Sequence, residues 1–163
     1  EQLFPKVFEK PVVEVGKWYR NGDTSHKKSV AFLTDYNKST NHYKGYGFDI
    51  DGNWSNGNDN YVWGSSNWIE ATLSDLQPLF EAEFNKRYKE GDLLGSPHSG
   101  AEFEYRAKDV EYDQLLSNVS YIGHFCIFKN GNFAKVIKSA KLIKAEQELE
   151  QAKKRVEELK GKC

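Results

Sequence analysis

Alternating apolar and polar positions mark the first half of the chain as strands. Tyr46, Phe48 and Ile50 alternate with small or acidic residues, which is the two-residue period of a half-buried strand. Residues 30–33 form a short apolar run that predicts another strand, followed by an expected polar loop at residues 35–41. The pattern therefore predicts short strands joined by polar loops.

Turn dipeptides separate these strands. Asn-Gly or Asp-Gly pairs, whose residues tolerate positive φ, occur at Asn21-Gly22, Asp51-Gly52 and Asn130-Gly131. Apolar segments at residues 119–128 and 133–137 flank the last pair and predict a hairpin. Residues 52–54 and 131–133 both read Gly-Asn-aromatic, which convergent turn chemistry explains as well as an internal repeat does.

A change of period predicts one central helix. The apolar residues with helical spacing are Leu76, Leu79, Phe80, Phe84 and Tyr88. They form one stripe with charged residues between them, so an amphipathic helix is expected over residues 75–90, closed by Gly91. Ser74-x-x-Gln77 resembles a capping box at its start.

The C-terminal segment has a heptad pattern. Its apolar positions, spaced alternately by three and four residues, are Leu142, Ala145, Leu149, Ala152, Val156 and Leu159. This predicts a helix over residues 141–163, with Leu142, Leu149, Val156 and Leu159 as the large side chains of an oligomerisation seam. Packing of this helix on its own domain is an equally good interpretation, because Ala at the d positions makes a weak seam.

Together these elements predict an α+β protein. We expect an antiparallel sheet or small barrel-like structure of hairpins in a domain at residues 1–140, followed by the C-terminal helix at 141–163. Two β halves around the central helix are an alternative division of the first domain.

Composition and charge limit the kinds of partner and the compartment that we expect for this protein. The net charge of −1 gives no overall field that would favour nucleic acid, and no apolar segment is long enough to span a membrane. Cys126 lies in an apolar run and Cys163 is the last residue, so the cysteines do not indicate a disulfide framework. A cytoplasmic compartment is favoured over secretion.

The sequence contains no recognisable catalytic motif, and we expect no catalytic residues, metal or cofactor. Asp49-x-Asp51-x-Asn53 resembles the start of a calcium loop, but Trp54 and Asn60 occupy the positions where an EF-hand needs Gly and Glu. Cys126 and His124 could share a strand face, yet no third orienting residue can be named. These residues are better explained as structural.

A cluster of aromatic and amide residues is the best candidate for a binding surface. Rings can stack on a ligand while amides give directional hydrogen bonds. The candidate ligand- or partner-binding residues are Tyr43, Tyr46, Trp54, Asn58, Asp59, Trp63 and Trp68. A core role for the rings is the competing interpretation, since aromatic residues also dominate cores.

Residues 16–95 resemble small accessory proteins of bacteriophages and prophages. The resemblance rests on Trp68-Ile69-Glu70-Ala71-Thr72 before an amphipathic helix, and on Tyr46-Gly47-Phe48 with Gly52-Asn53-Trp54. Leu73 stands where those proteins usually have Pro. The resemblance implies a non-enzymatic factor that binds a host protein or sequesters a signal molecule.

Three functions follow as expectations. The first is a non-catalytic phage-type binding protein in the host cytoplasm, which recognises a host protein or a small polar or planar ligand such as a nucleotide or sugar. The second is a structural or assembly protein that forms homo-oligomers through its C-terminal helix. The third is an enzyme of an unrecognised class.

Overall fold

The computed structural model describes residues 13–22, 29–40, 42–56 and 67–162. The chain divides into two compact units, of which unit 1 ends at Glu83 and unit 2 begins at Phe84. The described residues form three antiparallel sheets and two α-helices. The predicted α+β class with antiparallel hairpins is therefore confirmed.

Unit 1 contains a five-stranded antiparallel sheet in the order β4-β3-β2-β1-β5. Its strands are β1 (Trp18–Asn21), β2 (Val30–Asn37), β3 (His42–Phe48), β4 (Trp54–Ser55) and β5 (Trp68–Glu70). The expected loop at residues 35–41 was placed too early, because β2 remains paired with β3 as far as Asn37 opposite His42. An irregularity between Leu33 and Asp35 shifts the register of that pairing, as a β-bulge does.

Glycines allow β2 and β3 to approach closely. A Cβ atom at Gly45 would collide with the carbonyl oxygen of Phe32, and one at Gly47 with that of Val30. The predicted alternation does not extend to Ile50, which is 49% exposed, because β3 ends at Phe48 and the chain turns. The glycines of β3 are therefore packing positions.

The central helix α1 spans Leu73–Arg87, beginning and ending slightly earlier than predicted. Asp75 fixes the start of the helix. Its Oδ2 accepts two hydrogen bonds from Thr72, one from the backbone N–H (2.8 Å) and one from the hydroxyl group (2.9 Å). The cap therefore involves Thr72 and Asp75 rather than Ser74 and Gln77. Pro78 lies inside the helix. Leu76 and Phe80 are fully buried in unit 1, and Phe84 is fully buried in unit 2.

Unit 2 contains two small antiparallel sheets and the second helix. Its elements are β6 (Leu93–Gly95), β7 (Glu102–Glu104), β8 (Val110–Glu111), β9 (Val119–Ile122), β10 (Phe125–Lys129), β11 (Asn132–Phe133), β12 (Lys135–Lys138) and α2 (Ala140–Lys160). The strand orders are β11-β10-β9-β8 and β12-β6-β7.

Two tight turns organise the larger sheet of unit 2. Asn130 and Gly131 have φ of 49° and 85° and join β10 to β11, as their dipeptide predicts. The single predicted strand over residues 119–128 is wrong, because a turn at Gly123 and His124 divides it into β9 and β10. Gly123 has a φ of 57°, which a glycine adopts at little cost, but its apolar neighbours conceal the turn in the sequence.

The core of unit 2 is aromatic. Phe84 contacts Phe133 with ring centroids 5.8 Å apart, and Tyr88 packs on Tyr105 at 5.2 Å. The Tyr88 hydroxyl donates a buried hydrogen bond of 2.6 Å to the carbonyl oxygen of Ala134. These contacts hold the last turn of α1 and the residue that follows it against the rest of unit 2.

Candidate functional site

Two residues of the predicted aromatic surface lie in the core of unit 1. Tyr46 is 9% exposed and Trp68 is 5% exposed. Trp18 packs edge-on against Tyr46, with ring centroids 6.0 Å apart, and against Phe80 at 5.8 Å. Tyr46 and Trp68 therefore contribute to packing rather than to an accessible surface.

Trp54 and Tyr43 are half-buried. The Trp54 ring lies 5.1 Å from that of Phe48 and 5.7 Å from that of Tyr46, so one side of it belongs to the core. The hydroxyl of Tyr43 donates to the carbonyl oxygen of Val13 at 3.4 Å, and burial raises the pKa of Tyr43. Among the predicted binding residues that the structure describes, these two rings remain partly accessible.

Three of the predicted binding residues, Asn58, Asp59 and Trp63, lie outside the described residues. The structure therefore places Tyr43, Tyr46, Trp54 and Trp68 in one β-sheet. The aromatic-amide site stays a prediction.

The helix α2 presents the most exposed apolar surface of unit 2. None of its residues is buried, although it is 21 residues long. The exposed fractions of its large apolar side chains are 48% for Leu142, 57% for Leu149, 50% for Val156 and 67% for Leu159. All four predicted oligomerisation residues therefore lie on accessible helix surface.

Local interactions hold the start of α2. The Ser139 hydroxyl accepts a hydrogen bond of 3.2 Å from the backbone N–H of Leu142, as an N-cap does. The Lys138 ammonium contacts the carboxylate of Glu146 at 3.0 Å. A solvated ion pair and one cap stabilise a helix only slightly. Because no residue of α2 is buried, the helix also lacks most of the burial that stabilises helices in proteins.

A second candidate surface is an open groove in unit 2 with a volume of about 660 Å³. Its apolar part includes Phe103 of β7 and Phe125 of β10, which stack with centroids 5.4 Å apart and planes inclined by 7°. Phe125 is 40% exposed, so part of this ring pair is accessible to solvent. The turn residues Gly123 and His124 also line the groove.

Charged side chains of both signs line the same groove. The basic residues of the lining are Arg106 and Lys108, together with His124. Its acidic residues include Glu104 and Glu111. Arg106 donates to Glu104 across 3.3 Å, but both side chains are about half exposed and the pair is weak. The groove therefore offers an aromatic platform with mixed polar edges. The sequence pattern does not predict this groove, because its lining segments at residues 103–111 and 122–125 come together only in the folded chain.

The cysteine in this region is a structural residue. Cys126 is 7% exposed, and its S–H donates to the carbonyl oxygen of Phe128 at 3.2 Å. Burial raises the pKa of the Cys126 thiol, which disfavours the nucleophilic thiolate. His124 is exposed in the turn, so the two side chains occupy different environments.

In the acidic turn at residues 49–53 of unit 1, a carboxylate accepts hydrogen bonds from the backbone. The Asp49 Oδ1 accepts from the N–H groups of Asp51 (2.9 Å) and Asn53 (2.8 Å). Among the residues that the structure describes, no three His, Cys, Asp or Glu side chains are grouped so that they could hold a metal ion.

Comparison with known proteins found no matching family model, curated protein or solved structure. In the described part of the chain, neither helix is both long and apolar enough to cross a bilayer. A functional proposal must therefore rest on the accessible surfaces themselves.

Proposed function

We propose that this protein is a non-catalytic binding protein that associates with a protein partner through α2. The single observation that supports the proposal is the apolar stripe of α2, whose leucines and valine are 48–67% exposed. Most helices in proteins owe their stability to tertiary packing of an apolar face, whereas α2 has no buried residue, so a matching apolar surface would stabilise it. Self-assembly is the form of association that we favour, because the heptad spacing suits helix-on-helix packing.

Static light scattering of the full-length chain tests this proposal. We expect a concentration-dependent mass above that of the 18.7 kDa monomer. Leu149→Lys should reduce the mass to that of the monomer, because it places a charge in the middle of the stripe. Leu149 is 57% exposed, so the substitution should leave the fold of the monomer intact.

Gln147→Lys is the matched control. It adds the same charge to the same helix, but residue 147 lies on the side away from the stripe. We expect this variant to associate like the wild-type chain. A monomeric wild-type chain at all concentrations, or equal effects of the two substitutions, would contradict self-association through α2.

A second candidate function is recognition of a ligand in the groove of unit 2. The exposed ring of Phe125, stacked on Phe103, favours it, because a flat apolar platform with polar edges suits a planar polar ligand. Saturation-transfer NMR with mononucleotides, monosaccharides and short peptides would test this. If a ligand binds the wild-type chain and Phe125→Ser abolishes that binding, the result supports the groove as the ligand site.

The control for the groove is Leu116→Ser. Leu116 is a similarly exposed apolar residue of unit 2 (49%) and is not part of the groove lining. Binding that both variants lose equally would instead indicate a general loss of structure.

We also propose an origin among bacteriophage or prophage accessory proteins, with a partner in the host cytoplasm. The resemblance of residues 16–95 to such proteins is its support. Pull-down with the wild-type chain and with Trp54→Ala tests whether a host protein uses the aromatic-amide region. Retention of the same host protein by both chains would contradict a role of Trp54 in its recognition.

A further inference from the structure

We propose that the partner of α2 is α2 of a second copy, running antiparallel, with Leu142 opposite Leu159, Ala145 opposite Val156 and Leu149 opposite Ala152. This inference rests on the proposed self-association and adds its direction and register. The exposed stripe is thus covered by the same stripe of a second molecule of this chain.

The sizes of the apolar side chains favour the antiparallel direction. In a parallel pair each position faces its own copy, so Ala145 would face Ala145 and Ala152 would face Ala152. Two layers would then lack side-chain volume and lose dispersion contacts. In the antiparallel register each alanine faces a larger residue, Val156 or Leu149, and the leucines at the two ends face each other.

The charges beside the stripe also fit this direction. In the middle of the helix, the flanking positions are acidic on the N-terminal side, at Glu146 and Glu148, and basic on the C-terminal side, at Lys153 and Arg155. Antiparallel pairing places Glu146 near Lys153 of the other copy and Glu148 near Arg155 of the other copy. The side chain of Glu146 contacts Lys138 of its own chain through Oε2, and a carboxylate has a second oxygen for another donor.

A parallel pair would have attractive contacts as well, but it would include one repulsive pair inside the helix. There Arg155 of one copy would lie beside Lys160 of the other. In the antiparallel pair the corresponding like charges are Lys141 and Lys162, at the ends of the interface, and Lys162 follows the last helical residue. Opposed helix dipoles add a further small preference for the antiparallel pair.

Cysteine pairing in full-length protein tests the direction. Leu142→Cys and Leu159→Cys are introduced in separate chains that also carry Cys163→Ser, and one of the two chains is labelled with ¹⁵N. Their equimolar mixture is oxidised mildly, and the disulfide dimers are identified by mass. Both leucines are at least 48% exposed, so neither change should disturb the fold of the monomer.

In the antiparallel register residues 142 and 159 face each other, whereas identical positions lie about 26 Å apart along the helix axis. A disulfide needs a Cα–Cα distance of about 4.4–6.8 Å. We therefore expect the mixed disulfide in at least about tenfold excess over either symmetrical one, through the high effective concentration of facing thiols.

Gln147→Cys mixed with Lys154→Cys is the matched control. These positions would lie at the same height in the antiparallel pair but on the outer sides of the helices, so they should not cross-link. Mixed and symmetrical disulfides in similar yield would overturn the inference, as would cross-linking of the control pair to the same extent.

The outcomes separate this inference from the proposed function. Symmetrical disulfides in a chain whose scattering mass shows association would overturn the antiparallel direction and leave self-association intact. Association without any disulfide would overturn the register. A monomeric mass with no disulfide would overturn both.

Discussion

The carboxylate of Asp92 accepts a hydrogen bond of 2.7 Å from the backbone N–H of Ala140, the first residue of α2. Its other oxygen accepts from the N–H of Lys89 at 2.8 Å, and the side chain is almost fully buried. A carboxylate at a helix N-terminus satisfies an orphan N–H and interacts favourably with the helix dipole. Asp92 thus anchors the exposed helix to the folded part of unit 2.

Removal of this anchor should destabilise unit 2. We expect Asp92→Ala to lower the free energy of unfolding by about 2–4 kcal/mol, because two charge-assisted hydrogen bonds are lost. The free energy of unfolding of Asp92→Asn should lie between those of the alanine variant and the wild-type chain, because the amide has only one oxygen that can accept a hydrogen bond. Urea unfolding followed by circular dichroism measures both. Equal stabilities of the alanine variant and the wild-type chain would contradict the anchor.

The approach of β2 to β3 should make Gly47 intolerant of any side chain. Gly47→Ala would direct a methyl group at the carbonyl oxygen of Val30, which the paired strands cannot move without breaking their register. We expect a loss of about 2 kcal/mol or more in chemical denaturation. Gly161→Ala is the control, because a Cβ there meets only ordinary contacts and the residue has a helical backbone, so stability should be unchanged or slightly higher.

Trp54→Ala should reveal a packing role. Trp54 contacts Phe48, Tyr46 and Phe80 through its ring. We expect the substitution to lower the free energy of unfolding by about 2 kcal/mol, less than for a fully buried tryptophan. Unchanged stability together with loss of a partner would instead favour the aromatic-amide surface as a binding site.

Burial of Cys126 should make stability fall in alkaline solution. Its folded pKa is raised by burial, so the thiol of the unfolded chain ionises first as the pH rises. The contribution of Cys126 to stability is therefore complete below the ordinary thiol pKa of about 8.5 and decreases above it. Urea unfolding at several alkaline pH values, compared with Cys126→Ala, measures this difference. If the free energies of unfolding of the wild-type chain and Cys126→Ala change in parallel with pH, the predicted contribution of Cys126 is contradicted.

The same thiol should react slowly in the folded protein. With Cys163→Ser in place, Cys126 is the only thiol, and a disulfide reagent at neutral pH should modify it much faster in guanidinium than in native buffer. Equal rates in the two solutions would show that the thiol is accessible in the native protein.

Association should increase the helical content of α2. Because α2 has no buried residue, its C-terminal turns, far from the anchor at Asp92, should fray in the monomer and become ordered in the pair. The ellipticity at 222 nm should therefore become more negative as the wild-type protein is concentrated, while Leu149→Lys shows no such change. A constant signal for the wild-type chain over the range in which its mass rises would contradict coupled ordering.

The sequence by itself determined the features that depend on neighbouring residues. The turn at Asn130 and Gly131 follows from two residues that tolerate positive φ, and both helices follow from apolar periodicity. The α+β class with antiparallel hairpins was predictable for the same reason, because each element carries its own local pattern.

Only the tertiary structure decided which apolar and aromatic residues are accessible. Tyr46 and Trp68 belong to the core of unit 1, whereas Phe125 and the leucines of α2 are exposed, although all are apolar or aromatic in the sequence. Burial depends on contacts between distant segments, which periodicity does not specify. The anchor between Asp92 and Ala140 joins residues 48 positions apart for the same reason. The heptad pattern of α2 was thus visible in the sequence, but its lack of packing within unit 2 became visible only in the fold.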